Sequence, residues 1–525
     1  MSRQVKTTAL ILMVALVGGC GGGAFSPSFR DNNLDDLKAA LSGTRPPADF
    51  APVNRTGKPL VFLVTADPIH IVAYDLENKK ELWKAAANIT SKVVVGKARI
   101  FHRSGKNTLV ARDLTSGRKL WQHTLLGGDR LLGMTTDGND LYYVTEYVKR
   151  AEDGTAATLV ALKGDNGTPR FKRPSKGRLG APTAYGSKLF IPLRSQSMAL
   201  VDTTTGEEVA RIRSKEEMIL WARPTPAGFL YGGKSGVYKL DDKSISGTKA
   251  ESSFLAASLP SSVRPVYWWD GYNAALAGYT AYDRNRLLWQ LQGKGDAFQQ
   301  DTIFVHNYRF FFAFDTKKKS GDGPLLKWVY SFPRHDVVAS IHTGKALLLV
   351  ADNGTIMTLD PATGVPTQSA DLGLKISGAS FDTLGMAPTG GAKSEPNLRE
   401  SLTQVIWDPD RRFGAVKLFA VEQLARLTGD SVSGDLVKIV TREGIDPAVY
   451  KLAGQMIVDR HDAKALPIYL DTLRPHYDFL EATSATAVDI MARAVGDLKA
   501  KEAVQPLLNH LKDPDNSSSS YQVVY

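Results

Sequence analysis

The sequence predicts an all-β propeller followed by an all-α helical solenoid. Three observations carry this reading. A short pattern recurs at intervals of about forty residues through the first two thirds of the chain. Each copy has the alternating or continuous apolar residues of a buried strand, then a turn, then a second strand with a large ring. After residue 396 the strand patterning stops and helical spacing takes over.

The pattern is clearest in VAYDLENKKELW, from Val72 to Trp83. It recurs as LVARDLTSGRKLW (Leu109–Trp121), VALKGDNGTPRF (Val160–Phe171) and MALVDTTTGEEV (Met198–Val209). Further copies are VYKLDD (Val237–Asp242), TAYDRNRLLW (Thr280–Trp289), FAFD…LLKW (Phe312–Trp328) and MTLDPATGVPT (Met357–Thr367). Seven of the eight copies place an aspartate at one point: Asp75, Asp113, Asp202, Asp241, Asp283, Asp315 and Asp360, with Lys163 in the remaining one. A carboxylate there accepts backbone N–H groups from the turn that follows. Gly117, Gly167, Gly206 and Gly364 sit where the tight connection needs positive φ. Trp83, Trp121, Phe171, Trp289 and Trp328 then fill the wedge between neighbouring sheets. One hairpin cannot bury its faces alone, so the copies must stack. Eight blades are expected; seven, with one weak copy absorbed as an insertion, is the alternative.

Blade two shows the expected four strands: Lys92–Val95, Ala98–Arg103, Asn107–Asp113 and Lys119–Thr124. Blade one lacks a first strand before Leu60, and a spare segment, Leu374–Phe381, follows the last copy. That segment is expected to complete blade one and close the ring, removing free sheet edges. Charged, glycine-containing insertions at 146–158 and 315–325 read as long hairpin loops.

The spacing of aspartate, turn, glycine and tryptophan resembles the pyrroloquinoline-quinone-type propeller repeat, over residues 50–385. That family holds quinoprotein alcohol dehydrogenases. It also holds a cofactor-free propeller lipoprotein of the bacterial outer-membrane β-barrel assembly machinery. The dehydrogenases use adjacent cysteines beneath the quinone, a bound calcium or lanthanide, and an aspartate base. Cys20 is the only cysteine here, so that platform cannot form. The nine histidines are scattered, and none makes HExxH or another close metal pair. No catalytic, cofactor or metal residues are therefore assigned, and a non-enzymatic role is expected. A quinone- or sugar-binding enzyme or sensor is the rival reading. Trp268 and Trp269 point to opposite strand faces, one toward the core and one available as a partner anchor.

Formal charge is 65 − 54 = +11, and +9 without Arg3 and Lys6 of the first nineteen residues. That excess suits acidic partners or anionic lipid, while no basic run interleaved with aromatics points to nucleic acid. Residues 1–19 read as a signal peptide: a basic start at Arg3 and Lys6, then an apolar stretch from Ala9 to Val17, too short to span a bilayer. Val17-Gly18-Gly19-Cys20 resembles a bacterial lipobox, which implies acylation of Cys20 and a membrane anchor. Gly21 rather than Asp follows, which by the enteric sorting rule implies the outer membrane, periplasmic face. Residues 20–49 read as a tether, with a short amphipathic helix expected over Asn33–Ser42.

Residues 386–396, MAPTGGAKSEP, are a linker by composition. In 397–515, Ala448, Val449 and Ala453 recur as Ala487, Val488 and Ala492, and PIYLDTL from Pro467 recurs as PLLNHLK from Pro506. Asp-Pro pairs at 408, 446 and 513 punctuate the units. This resembles HEAT-type helical hairpins, which stack into a solenoid. Residues 516–525 form a polar tail. The linker leaves few residues able to cross-pack, so the propeller is expected to fold without the helical arm. Both folds bind proteins and peptides, which makes the expected product a lipid-anchored periplasmic scaffold, with a role in outer-membrane protein assembly implied by the resemblance.

Overall fold

The computed structural model describes residues 54–240, 290–382, 397–474 and 487–512, apart from short gaps at 194, 196, 214–218, 220, 226–227, 233–236, 293–301, 316–322, 325 and 343–345. From Leu60 to Asp382 every described regular element is a strand, and these pair antiparallel into six four-stranded sheets and one three-stranded sheet. The first sheet comprises Leu60–Thr65, His70–Asp75, Lys80–Ala86 and Ile376–Asp382. The second comprises Val94–Val95, Arg99–Ser104, Thr108–Asp113 and Lys119–Thr124, within two residues of the strands expected for blade two. The third comprises Arg130–Thr136, Leu141–Glu146, Ala157–Leu162 and Pro169–Ser175. The fourth is Thr183–Tyr185, Lys188–Pro192, Ser197–Asp202 and Glu208–Arg213, and the three-stranded fifth is Trp221–Thr225, Gly228–Gly232 and Val237–Leu240. The sixth holds Gln290–Gln292, Thr302–Asn307, Phe310–Asp315 and Leu326–Ser331, and the seventh Val337–His342, Leu347–Ala351, Thr355–Leu359 and Pro366–Asp371. The copy at Thr280–Trp289, with Asp283 and Trp289, lies outside the described residues, as do Asp241, Trp268 and Trp269.

The first sheet draws on both ends of the β region. Ile376–Asp382 runs antiparallel to Leu60–Thr65, from Leu60↔Asp382 to Thr65↔Ile376. Strands with both faces covered read as unbroken apolar runs. Leu141–Glu146 is buried at all six positions. Leu141 and Tyr143 pack with the second sheet, while Tyr142 and Val144 pack with the fourth.

The repeat residues tie each sheet to the next. Asp113 accepts the N–H groups of Thr115 and Ser116 at 3.0 and 2.9 Å. Asp75, Asp202 and Asp360 make the same turn. Burial pushes the Asp113 carboxyl up, but hydrogen bonds from Thr115 and Ser116 outweigh it and hold the group below its ordinary range. The aromatic residue after the turn, eight positions on at Trp83 and Trp121 and thirteen at Trp328, reaches across to the following sheet. Trp83 Nε1 donates to the Leu114 carbonyl at 2.8 Å, Trp121 to Gly164 at 2.7 Å and Trp328 to Pro361 at 3.1 Å. Each ring lies on a left-handed glycine of that sheet's turn. A Cβ on Gly117 would stand 2.4 Å from the Trp83 ring, and one on Gly167 2.7 Å from Trp121. Gly206 holds Phe171 and Gly364 holds Trp328 in the same way. These glycines therefore serve two purposes: positive φ in the turn, and room for the neighbour's ring.

Beyond residue 396 seven helices are described: α1 Leu398–Trp407, α2 Gly414–Ala425, α3 Ser431–Val440, α4 Pro447–Asp459, α5 Leu466–Thr472, α6 Val488–Asp497 and α7 Val504–Lys512. Two of their starts carry a side-chain cap. Asn397 accepts from the N–H groups of Arg399 and Glu400, and Asp446 caps α4 with Pro447 as its first residue. The Asp408-Pro409 pair instead ends α1, with Asp408 at its C-cap. Pro467 and Pro506 lie in the first turns of α5 and α7, as expected.

The expectation of few cross-packing residues is overturned. Phe310, Phe312, Leu326 and Val329 of the sixth sheet belong to the same buried core as the helices. Phe310 meets Phe413 edge-on at 4.9 Å between ring centroids, and Phe312 meets Phe419 at 6.0 Å. The intervening Phe311 and Ala313 face the seventh sheet with Trp328. By its place in the repeat Phe312 corresponds to Val160, which packs toward the preceding sheet. In the sixth sheet the helices meet that face. Among the described residues the sheets do not form an unbroken ring.

A candidate binding groove beside the sheet–helix junction

Charge clusters where the helices dock. Arg309, in the turn before Phe310–Asp315, places its guanidinium 3.3 Å from Asp408, 3.4 Å from Asp410 and 3.7 Å from Asp336. Arg412 bridges Asp336 and Asp410, each at 2.7 Å. Hydrogen bonds from Arg412 lead in holding the Asp410 carboxyl below its ordinary range, against the opposing effect of burial. Both arginines also lie over rings: Arg309 over Phe413 at 4.9 Å, and Arg412 over Tyr308 at 4.9 Å. The arginine side chains thus join the Asp336 loop to the start of the helical region and cover the aromatic core.

Asp408 also borders an open groove of about 630 Å³ on the helical region. Its wall is one face of α1: Glu400, Thr403, Gln404 and Trp407, spaced by three and four residues. Asn397, Arg399, Pro409 and Asp435 complete it. Arg399 forms a close ion pair with Asp435 on α3 and donates to the Ser431 carbonyl at 3.2 Å, which fixes the far side. Arg442 stacks on Trp407 at 4.1 Å. The groove offers an aromatic floor, exposed polar groups at Glu400 and Gln404, and charges already held by partners. Such a surface is suited to contacting an extended protein segment. The sequence signal for it was the helical spacing of α1; nothing in the sequence showed that α3 would lie across from it.

No group of three or more histidine, cysteine, aspartate or glutamate side chains is placed to hold a metal among the described residues. No helix of the described residues is long and apolar enough to cross a membrane. Burial lowers the His102 imidazole to about 4, with Arg112 beside it. Asp75, Asp113, Asp202 and Asp360 are occupied by turn N–H groups. Cys20 lies outside the described residues.

A family model, the outer membrane protein assembly factor BamB, matches residues 59–148. The match begins just before the first sheet and ends after the second strand of the third. A comparison with curated proteins gives no match. Among solved structures, BamB from Moraxella catarrhalis is similar at 13% identity, covering 59% of this chain and 82% of its own, with a TM-score of 0.35. Dihydro-heme d1 dehydrogenase NirN has 13% identity, 72% and 86% coverage, and a TM-score of 0.39. Saccharomyces cerevisiae Sqt1 has 9% identity, 66% and 91% coverage, and a TM-score of 0.39. The N-terminal region thus carries a BamB-like repeat.

One titration is measurable in the helical core. Burial raises the Glu422 carboxyl of α2 to about 7, with Arg426 opposing. A carboxylate whose folded pKa is raised binds more protons folded than unfolded, so its charge destabilises the fold as pH rises from about 4.3 toward 7. Glu422→Gln is expected to remove that slope and raise stability at pH 8 by about 1 kcal/mol after solvent screening. Thermal midpoints at pH 5 and pH 8 check it; an equal slope in both proteins contradicts it.

Proposed function

We propose that this protein is a lipid-anchored periplasmic scaffold whose sheets act as propeller blades and whose helical hairpins form a HEAT-like arm. It binds protein segments, in the groove along α1, and acts in outer-membrane protein assembly. The observation that carries this reading is the assembly-factor repeat across residues 59–148. The docked groove supports it, because it offers a rigid, partly aromatic surface. Cys20 is the proposed acylation site. One acyl chain binds a membrane marginally and two anchor it, at about 0.8 kcal/mol per buried CH₂.

The test compares wild type, Cys20→Ser and Glu400→Arg/Gln404→Arg in a membrane pull-down. Cys20→Ser is expected to leave the membrane fraction with its fold intact. The double variant is expected to stay membrane-bound and folded by circular dichroism but to lose envelope-protein partners. Membrane retention of Cys20→Ser after a high-salt wash contradicts the anchor. An unchanged partner set for the folded double variant contradicts the groove.

A further inference from the structure

We propose that the junction between the seventh and first sheets is the line along which the sheet series opens. The four other junctions at which both the ring position and the facing turn are described supply the comparison. At three of them an indole crosses to the next sheet, lies on a left-handed glycine and donates to the carbonyl one residue after the repeat Asp or Lys. At the junction of the third and fourth sheets Phe171 keeps the ring and Gly206 the glycine.

Both partners are changed where the seventh sheet meets the first. Gln368 stands eight residues after Asp360, the place Trp121 holds after Asp113. Lys79 stands four residues after Asp75, the place of Gly117, and takes the same left-handed turn at φ 52°. A lysine there carries the left-handed strain that glycine avoids. The Leu76 carbonyl, counterpart of the three that accept an indole, meets no donor among the described residues. A cavity of about 20 Å³ remains between Leu76, Lys79 and Gln368, bordered by Tyr74, Leu348 and Ile356. With the Lys79 and Gln368 side chains in place, that is room for about one water molecule. The inner part of the junction is held differently: the chain runs on from the seventh sheet to pair as Ile376–Asp382 with Leu60–Thr65 in the first, and the Ile376 N–H donates to the Asp352 carbonyl at 2.7 Å. The junction is therefore closed at its inner strands and unlatched at its outer ones. Val72 and Tyr74 still share a buried core with Val350 and Ile356, so the junction differs from the others in its missing ring, glycine and indole hydrogen bond, and a segment with fewer such ties opens at lower free energy.

Hydrogen exchange on the full chain tests this. Amides of 367–371 and of the turn after Asp75 are expected to exchange about tenfold faster than those of Lys119–Thr124 and the turn after Asp113. Gln368→Trp/Lys79→Gly installs the missing ring and glycine. It is expected to slow exchange at this junction to the level of the second and to raise the thermal midpoint by a few degrees. Trp121→Phe, which keeps a ring but removes the indole N–H and part of its volume, is expected to speed exchange at the second junction. Equal wild-type protection at both junctions overturns the proposal, and so does a folded double variant with unchanged exchange. If the double variant does not fold, the wild-type comparison decides alone.

Discussion

Removal of residues 397–525 is expected to make the sheet region aggregate rather than leave an independent propeller. The deletion uncovers Phe310, Phe312, Leu326 and Val329, each at most 3% exposed in the intact chain. Burial of a large apolar side chain contributes about 1.5–3 kcal/mol, so four together are worth about 6–12 kcal/mol. That is comparable to the whole stability of a typical domain, about 5–15 kcal/mol. Arg309 also loses Asp408 and Asp410. A milder probe leaves the chain complete: Phe312→Ala is expected to cost about 3–5 kcal/mol through the cavity left against Phe419. Circular dichroism and sedimentation check both variants. A soluble, β-structured fragment ending at residue 396 contradicts the first expectation, and an unchanged thermal midpoint contradicts the second.

The ring-on-glycine contact carries the second large effect. Trp121→Ala is expected to destabilise by about 3–5 kcal/mol, since the ring is 9% exposed and its N–H bonds the next sheet. Gly167→Ala attacks the same contact from the other side. Its Cβ would stand 2.7 Å from the ring, and its φ of 73° adds about 1–2 kcal/mol of left-handed strain. Because the two residues share one contact, the double variant is expected to be less destabilised than the sum of the singles. Thermal or urea unfolding of all four proteins measures that coupling. Strict additivity would show that ring and glycine act independently.

These contacts separate what sequence reveals from what it hides. The turn aspartates were legible because an Asx turn is made within three residues of Asp113 or Asp360. Trp83 and Trp121 were legible as wedge residues because each stands eight residues after its aspartate. The reason for the glycines was half legible: the turn could be read locally, whereas the ring above each comes from another copy. The extra strand of the first sheet could be inferred from one absent and one spare segment, then found at Ile376–Asp382.

The helical docking was not legible. FFFAFD from Phe310 reads as a doubly buried strand, and the sequence does not say what buries each face. Phe311 faces a sheet and Phe312 faces helices, with the same residue type in both places. Linker composition favoured a free arm, but Arg309 and Arg412 reach partners on both sides of that linker. The groove followed the same logic, since α1 could be seen from its spacing but its position beside Asp435 could not.

Cleavage of the linker tests most directly whether sheets and helices form one body. A protease site placed within residues 386–396 leaves both parts at full length once cut. If Phe310 and Phe312 share a core with Phe413 and Phe419, the fragments are expected to elute from size exclusion as one peak at the uncut volume. Two separate, folded peaks would show a freely presented arm and contradict the account.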